Sequence, residues 1–282
     1  MPNLFFMREK MEFYNIGVQD YKLIINAIQI GYGFDFSYYS PIIFRRKILD
    51  LMRYYKIDDF DELKFRLENG QFDNDFFRFF HVPITEMFRD PSFWRYVIAI
   101  LSNTNASEKI RVCFPGCVIG NELLSFLILL KELQMEEAFD IVVTSPFPMK
   151  IDSLVMMLKK RKFELSKTNF ERIEMKNVDL EKYFDRDNKG NYIFKSNENT
   201  NAFRFIKHDF SKNSLTNKQN MIFFRNQLLY FTPPFEQNIV TFMVDSLKPK
   251  GLLFIGTKEE INNQENIALI NKNERIYQKN NL

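Results

Sequence analysis

Cysteine and histidine are scarce in this chain of 282 residues, which contains two of each. Cys113 and Cys117 are too few for a disulfide framework, and this favours a reducing compartment. The two histidines, His81 and His208, do not stand with either cysteine at the spacing of zinc ligands. We therefore expect no metal site.

Long apolar runs are also missing. The longest, Leu123–Leu130, falls well below the roughly 18 residues that a membrane-spanning helix needs. The first residues lack a basic start, a long apolar stretch and a small-residue cleavage site, so we expect no secretory signal. Lys+Arg 39 against Asp+Glu 36 gives a net charge of +3, which is no nucleic-acid signature. These features together predict a cytoplasmic protein without a nucleic-acid partner.

Hydrophobic residues make up 45% of the chain, which is ample for a core. The first ninety or so residues show helical patterns, and they predict a small N-terminal helical domain over residues 11–80. Val18–Ile30 carries one apolar face, and we expect Gly31 and Gly33 to break that helix. Ser40–Pro41 is typical of the start of the next helix.

From about residue 109 onward, short β-type runs alternate with helical stretches. The predicted buried strands are KIRVCF, FDIVVTS, MIFF and GLLFIG, and the predicted helices cover about 122–133, 151–160 and 235–247. This order favours parallel strand pairing and an α/β fold. The region between Phe170 and Thr200 is polar and rich in Asn, and Asn188–Gly190 within it can turn a hairpin.

The segment Met221–Phe231, MIFFRNQLLYF, carries the clearest sign of a binding site. Its apolar run suits a buried strand and ends abruptly at Arg225. In an open α/β sheet, ligands bind at the carboxyl ends of the strands. A guanidinium at Arg225 and a phenol at Tyr230 therefore predict a site at that edge. Two other interpretations stay open. Arg225 can form a structural ion pair, and Tyr230 and Phe231 can belong to the core, which is the favoured interpretation for Phe231.

Gly116 and Gly120 flank the turn between the first predicted strand and its helix. Glycines at such a turn allow a ligand to approach the backbone, and the free N–H groups of the helix start can bind it. A tight connection between strand and helix explains the same two glycines equally well.

Five segments taken together resemble the chemotaxis receptor glutamate methyltransferases of the CheR type. They are ITEMFRDPSFW, RVCFPGCVIGNELLS, FIKHDF, FFRNQLLYF and PKGLLFIGTKE, in the family's order and spacing. The resemblance covers nearly the whole chain. It implies a Rossmann-like S-adenosylmethionine (SAM)-dependent methyltransferase domain over 92–282, with a small inserted β-subdomain at 170–200. It also implies a linker, residues 81–91, that contributes to the cofactor site next to the all-α domain.

The resemblance further implies a role for each matching residue. SAM is the implied cofactor and S-adenosylhomocysteine the product. The acceptor carboxylate would be oriented by Arg225 and Tyr230. Ser145 stands where the family has an acidic residue for the ribose hydroxyls. The implied cofactor-binding residues are Thr85, Arg89, Gly116, Gly120, Glu122, Ser145, Asp209, Phe210 and Asn226, with Glu122 on the ammonium group and Asp209 and Phe210 at the adenine.

The implied reaction converts a glutamate side chain on a chemoreceptor helix into its methyl ester. The implied partners are therefore the cytoplasmic helices of chemoreceptors, with the membrane reached only through them. Methyl transfer to an ionised carboxylate needs alignment and desolvation rather than a general base. Two alternatives remain. One is a pseudoenzyme that keeps the fold as a receptor-binding or signalling module, and the other is a methyltransferase for another carboxylate or small molecule.

Several single residues keep a simpler explanation beside the one that the resemblance implies. Asp90 followed by Pro91 is typical of a plain helix cap, and Glu122 favours a helix start through the macrodipole. The basic residues between Arg45 and Arg53 are typical of a solvated helix face, although such a helix can also meet acidic receptor helices.

Overall fold

The computed structural model describes residues 16–80, 86–104, 108–116, 120–145, 157–175, 178–195, 203–208, 215, 217–262 and 264–281. These residues form two compact units. The first contains the described residues up to 80 together with Leu229–Glu236, and the second contains the rest.

Seven α-helices lie within the described ranges. They are α1 (Val18–Tyr32), α2 (Pro41–Tyr55), α3 (Phe60–Glu68), α4 (Pro91–Ser102), α5 (Asn121–Glu132), α6 (Lys160–Glu171) and α7 (Pro233–Ser246). None of the helices in this part of the chain is both long and apolar enough to cross a bilayer.

Helix α1 crosses α3 at very short range in the first unit. Gly31 lies inside the last turn of α1, where a Cβ atom would overlap the carbonyl oxygen of Leu67. The expectation that Gly31 breaks the helix was wrong, because the missing side chain serves close packing instead. Gly33 ends the helix in the left-handed conformation, with φ 72°.

Aromatic side chains dominate the core of the first unit. Phe36, Phe44 and Phe80 are fully buried, and their rings pack against one another at centroid distances of 4.5–5.7 Å. The last three residues of the Met221–Phe231 segment also belong to this unit. Its backbone is held where the Ser40 N–H donates to the Tyr230 carbonyl oxygen over 2.8 Å.

A seven-stranded sheet organises the second unit. Its strands are β1 (Ile110–Pro115), β2 (Phe139–Ser145), β6 (Arg204–Lys207), β7 (Gln219–Phe223), β8 (Leu247–Phe254), β9 (Ile267–Asn271) and β10 (Ile276–Lys279). The order is β6-β2-β1-β7-β8-β10-β9. Strands β6, β2, β1, β7 and β8 are parallel, whereas β10 is antiparallel to both of its neighbours. The prediction of a Rossmann-like α/β fold is confirmed.

The strand order reverses between β1 and β7. From β1 the chain continues to β2 and β6 on one side, and it then returns to β7 and β8 on the other. Residue pairs such as Cys113 and Ile222 set β1 and β7 side by side. Their carboxyl ends therefore meet at the switch point where doubly wound sheets bind ligands.

A smaller sheet in the second unit has the order β3-β5-β4. Its strands are β3 (Met157–Leu158), β4 (Phe184–Arg186) and β5 (Tyr192–Phe194). The predicted turn at Asn188–Gly190 joins β4 to β5, so the hairpin is confirmed. The prediction of a helix over 151–160 was wrong for the residues that the structure describes. Met157 and Leu158 form a strand that pairs with β5, and α6 begins only at Lys160.

Candidate functional site

Arg225 follows the carboxyl end of β7 by two residues and is 1% exposed. Its Nη1 donates to Oε1 of Glu122 over 2.9 Å, and its Nη2 donates to Oδ2 of Asp90 over 2.6 Å. The guanidinium carbon lies 3.8 Å from the ring centroid of Phe93. Two carboxylates and an aromatic face thus compensate a cation that has lost its water.

Glu122 lies in the first turn of α5, directly after the β1–α5 connection, and is 4% exposed. Burial raises the pKa of its carboxyl group, and the Arg225 cation opposes that rise. The negative charges of Glu259 and Asp90 raise this pKa further, by smaller amounts. The helix N-terminus is a favourable place for the ionised form.

Asp90 occupies the N-cap position of α4, but its side chain makes no capping hydrogen bond. The carboxylate is instead directed to Arg225. The simpler interpretation was therefore wrong in one respect, because the Asp90 side chain does not cap α4 although the residue occupies the N-cap position. Its φ of 58° shows that the backbone adopts the left-handed region to reach this position.

The residues before α4 are anchored by buried hydroxyl groups. The Phe88 N–H donates to Oγ of Ser125 in α5 over 2.9 Å, and the Met87 N–H donates to Oγ of Ser166 in α6 over 3.0 Å. Both serines are fully buried. These bonds fix the backbone that carries Arg89 and Asp90.

A concavity opens at this carboxyl edge of the sheet, and we refer to it as the Glu122 crevice. Four predicted site residues reach it from three separate segments of the chain. It is lined by Glu86, Phe88, Arg89, Trp94, Glu122, Arg225 and Asn226. Arg89, Glu122 and Asn226, which were predicted to bind the cofactor, therefore line the same concavity as Arg225, which was predicted to bind the acceptor.

Three other predicted residues lie at the same edge of the sheet. Gly116, with φ 65°, follows β1, and its N–H donates to the Thr144 carbonyl oxygen over 2.7 Å. Gly120, with φ 58°, is the residue before α5. Both conformations favour glycine. Ser145 is the last residue of β2 and is fully buried.

The remaining predictions are not brought to the crevice by the described residues. Tyr230 belongs to the first unit, where Nζ of Lys47 lies 5.6 Å from its ring centroid. Thr85, Asp209 and Phe210 lie outside the described residues.

Sequence reasoning missed several residues of the crevice. Glu86, Phe88 and Trp94 line it, and Asp90 pairs with Arg225 across 135 positions of sequence. Phe88 carries one local signal, a position directly before the Arg–Asp–Pro stretch, and the structure gives it φ 53°. Glu86, Asp90 and Trp94 lie in the same ITEMFRDPSFW segment that resembles the family, but their places around Arg225 depend on tertiary contacts.

The parallel sheet and its acidic, aromatic crevice at the switch point define an α/β domain of the kind that binds a cofactor at its strand ends. The family model described as CheR methyltransferase, SAM binding domain, matches residues 84–276. The chain therefore belongs to the CheR methyltransferase family, and its cofactor is SAM.

Named relatives agree with this family. A protein of Pseudomonas putida, named Cher3 and described as a candidate methyltransferase, is 28% identical over 85% of this chain and 88% of its own length. A chemotaxis protein methyltransferase of Listeria innocua is 24% identical over 92% of this chain and 97% of its own length. The N-methyltransferase NodS of Bradyrhizobium japonicum is a solved structure with TM-score 0.32 and 12% identity, covering 68% of this chain and 99% of that one.

The side chains that line the crevice have the chemistry to bind a cationic cofactor. Glu86 and Glu122 supply carboxylates, and Phe88 and Trp94 supply aromatic groups. Carboxylates suit an ammonium group, and aromatic faces suit a sulfonium. Arg225 pairs with Glu122 and Asp90, and Nε of Arg89 lies 4.0 Å from Oε1 of Glu86, so three carboxylates share two guanidinium groups and one negative charge is left over.

Proposed function

We propose that this protein transfers the methyl group of SAM to glutamate side-chain carboxylates of chemotaxis receptors. The observation that carries the proposal is the convergence of Arg89, Glu122, Arg225 and Asn226 on the Glu122 crevice. Family membership and the chemotaxis methyltransferases among the relatives support the choice of reaction.

Bound SAM supplies an electrophilic methyl group on a sulfonium. The chain has to hold the acceptor carboxylate in line with it and exclude water. A glutamate side chain has an ordinary pKa of about 4.3 and is ionised at neutral pH, so no residue is needed as a general base. In this proposal Glu122 and Arg89 hold the amino-acid end of the cofactor, and Ser145 accepts a hydrogen bond from the ribose.

Arg225 orients the acceptor in this proposal, whereas Tyr230, for which the resemblance implies the same role, belongs to the first unit. The Nη1 and Nη2 atoms of Arg225 are engaged by Glu122 and Asp90, whereas its buried Nε has no hydrogen-bond partner among the described residues. A buried donor without a partner is costly, and a ligand carboxylate satisfies it once the side chains around it move to expose the atom. We assign this Nε to the acceptor carboxylate.

The test is methyl transfer from labelled SAM to a purified cytoplasmic receptor fragment. A glutamate methyl ester releases labelled methanol in base, whereas N-methylation does not. We expect base-labile label with the wild-type protein. We expect its loss in Arg225→Ala at saturating SAM, a condition needed because the substitution also removes the counter-ion of Glu122. Base-stable label, or equal transfer by a folded Arg225→Ala, would contradict the assignment.

One observation favours the pseudoenzyme as the second candidate. Ser145 ends β2 as a fully buried hydroxyl at the position where the family has an acidic residue. A hydroxyl cannot bind two ribose hydroxyls as a carboxylate does. Calorimetry separates the candidates, because the pseudoenzyme predicts no heat of binding with millimolar SAM or S-adenosylhomocysteine.

A further inference from the structure

Glu259 lies five residues beyond the end of β8 and is 3% exposed. Its carboxylate accepts three backbone hydrogen bonds. The N–H groups of Asn226 and Gly256 donate to Oε2 over 2.8 and 2.6 Å, and the N–H of Leu228 donates to Oε1 over 2.8 Å.

Two of these three donors belong to the turn that carries the site. Asn226 follows Arg225, lines the Glu122 crevice and holds φ at 58°. A left-handed conformation is uncommon in residues other than glycine, although Asn tolerates it better than most, and it persists where the surroundings determine it. In this conformation the Asn226 N–H donates its hydrogen bond to the Glu259 carboxylate.

The third donor ties the turn to the neighbouring strand. Gly256 follows β8, and a Cβ atom at this position would overlap the Asn226 side-chain amide and approach Oε2 of Glu259 to 2.8 Å. The missing side chain thus lets Asn226 and Glu259 meet at the carboxyl ends of β7 and β8.

We propose that Glu259 is a positioning residue that holds the turn after β7 and thereby keeps Arg225 and Asn226 directed at the crevice. It touches neither substrate nor cofactor in this proposal. Both of its oxygens are needed, because three N–H groups converge on them and an amide would turn an NH₂ group toward at least one. The effect on transfer rests on the proposed function, whereas the effect on the turn does not.

The experiment compares Glu259→Gln with Glu260→Gln. Glu260 is the adjacent carboxylate, with its side chain 57% exposed and 3.1 Å from Arg275, so it is a matched control. The first measurement is amide hydrogen exchange in the protein without ligand. We expect exchange at Asn226 and Leu228 to accelerate at least about tenfold in Glu259→Gln and to stay unchanged in Glu260→Gln.

The second measurement is calorimetric binding of S-adenosylhomocysteine, followed by methyl transfer. We expect Glu259→Gln to weaken binding or to lower kcat by about tenfold or more, with KM for the receptor fragment within about threefold. Glu259→Asp keeps both oxygens and should recover part of each loss. If Glu259→Gln does not fold, Glu259→Asp and Gly256→Ala are measured in its place, since both disturb the same contacts.

Unchanged exchange at Asn226 and Leu228 in a folded variant would overturn the proposal. So would accelerated exchange with unchanged ligand affinity and unchanged kcat, because Glu259 would then act on stability alone. Absence of methyl transfer in the wild-type protein would contradict the proposed function but would leave the exchange and binding results to decide the role of Glu259.

Discussion

Nη1 of Arg225 lies 2.9 Å from Oε1 of Glu122, and the two side chains are 2% and 4% exposed. This contact joins Arg225, two residues past the end of β7, to α5, the helix that follows β1. Asp90 adds a second carboxylate to the same guanidinium. The site is therefore built around one buried cation with two counter-ions, and each of them comes from a different segment of the chain.

Arg225→Lys should destabilise the protein by about 2 kcal/mol, since an ammonium group cannot bridge two carboxylates while lying flat on Phe93. Urea unfolding would measure this change. The matched control is Arg275→Lys, at a pair with Glu260 on the surface. The control should change the free energy of unfolding by less than about 0.5 kcal/mol. Equal effects of the two substitutions would show that the buried pair has no special energetic role.

Ser145→Asp should tighten SAM binding if Ser145 lies at the ribose. A carboxylate can accept hydrogen bonds from both ribose hydroxyls, and the gain should be about tenfold in the dissociation constant. The melting temperature without ligand should fall, because the new carboxylate replaces a fully buried hydroxyl. Calorimetry on Ser145→Asp and Ser145→Asn would test this. Unchanged or weaker binding in a folded Ser145→Asp would remove Ser145 from the cofactor site.

Gly31→Ala should destabilise the first unit by about 2–3 kcal/mol or more, because the added methyl group overlaps the Leu67 carbonyl oxygen and forces α1 away from α3. Gly17→Ala is the control, since a Cβ there would meet its nearest atom at 3.4 Å. Thermal unfolding followed by circular dichroism would compare the two. A Gly31→Ala variant as stable as Gly17→Ala would contradict the close crossing.

Lys47 provides a prediction about pH. Burial lowers the pKa of its ammonium group to about 8, with Asp50 opposing the change. The unfolded chain, with an ordinary lysine pKa of about 10.4, then binds more protons than the folded one between about pH 8 and 10.4. The stability that Lys47 costs below pH 8 is regained as the pH rises. The melting temperature of Lys47→Met minus that of wild type should therefore decrease between pH 7.5 and 10. A difference that stays constant over this range would contradict the lowered pKa.

Local sequence signals predicted the parts of the fold that depend on local structure. The buried strand that ends at Arg225 and the turn at Asn188–Gly190 were both visible in short windows. Strands β3, β9 and β10 were not predicted. The pairing of β3 depends on contact between Met157 and Ile193, which no local pattern shows.

The candidate site also contains residues that the sequence predicted and residues that it did not. Arg89, Glu122, Arg225 and Asn226 were found because each lies in a segment that resembles the family, and the structure brings these four to one crevice. The side chains that hold them were missed. Glu259 lies in the PKGLLFIGTKE segment, but its hydrogen bonds join it to residues 31 and 33 positions away, which no local pattern shows.

The central claim is that the Glu122 crevice holds SAM, and the most direct measurement is calorimetric titration of wild type and Glu122→Gln with SAM. Glutamine keeps the shape of the side chain and can still accept from Arg225, but it loses the charge that we propose for binding the cofactor's ammonium group. Glu62→Gln, at an ion pair on α3, is the control. We predict at least about tenfold weaker binding in Glu122→Gln and no change in Glu62→Gln. Equal affinity in wild type and in a folded Glu122→Gln would contradict the account.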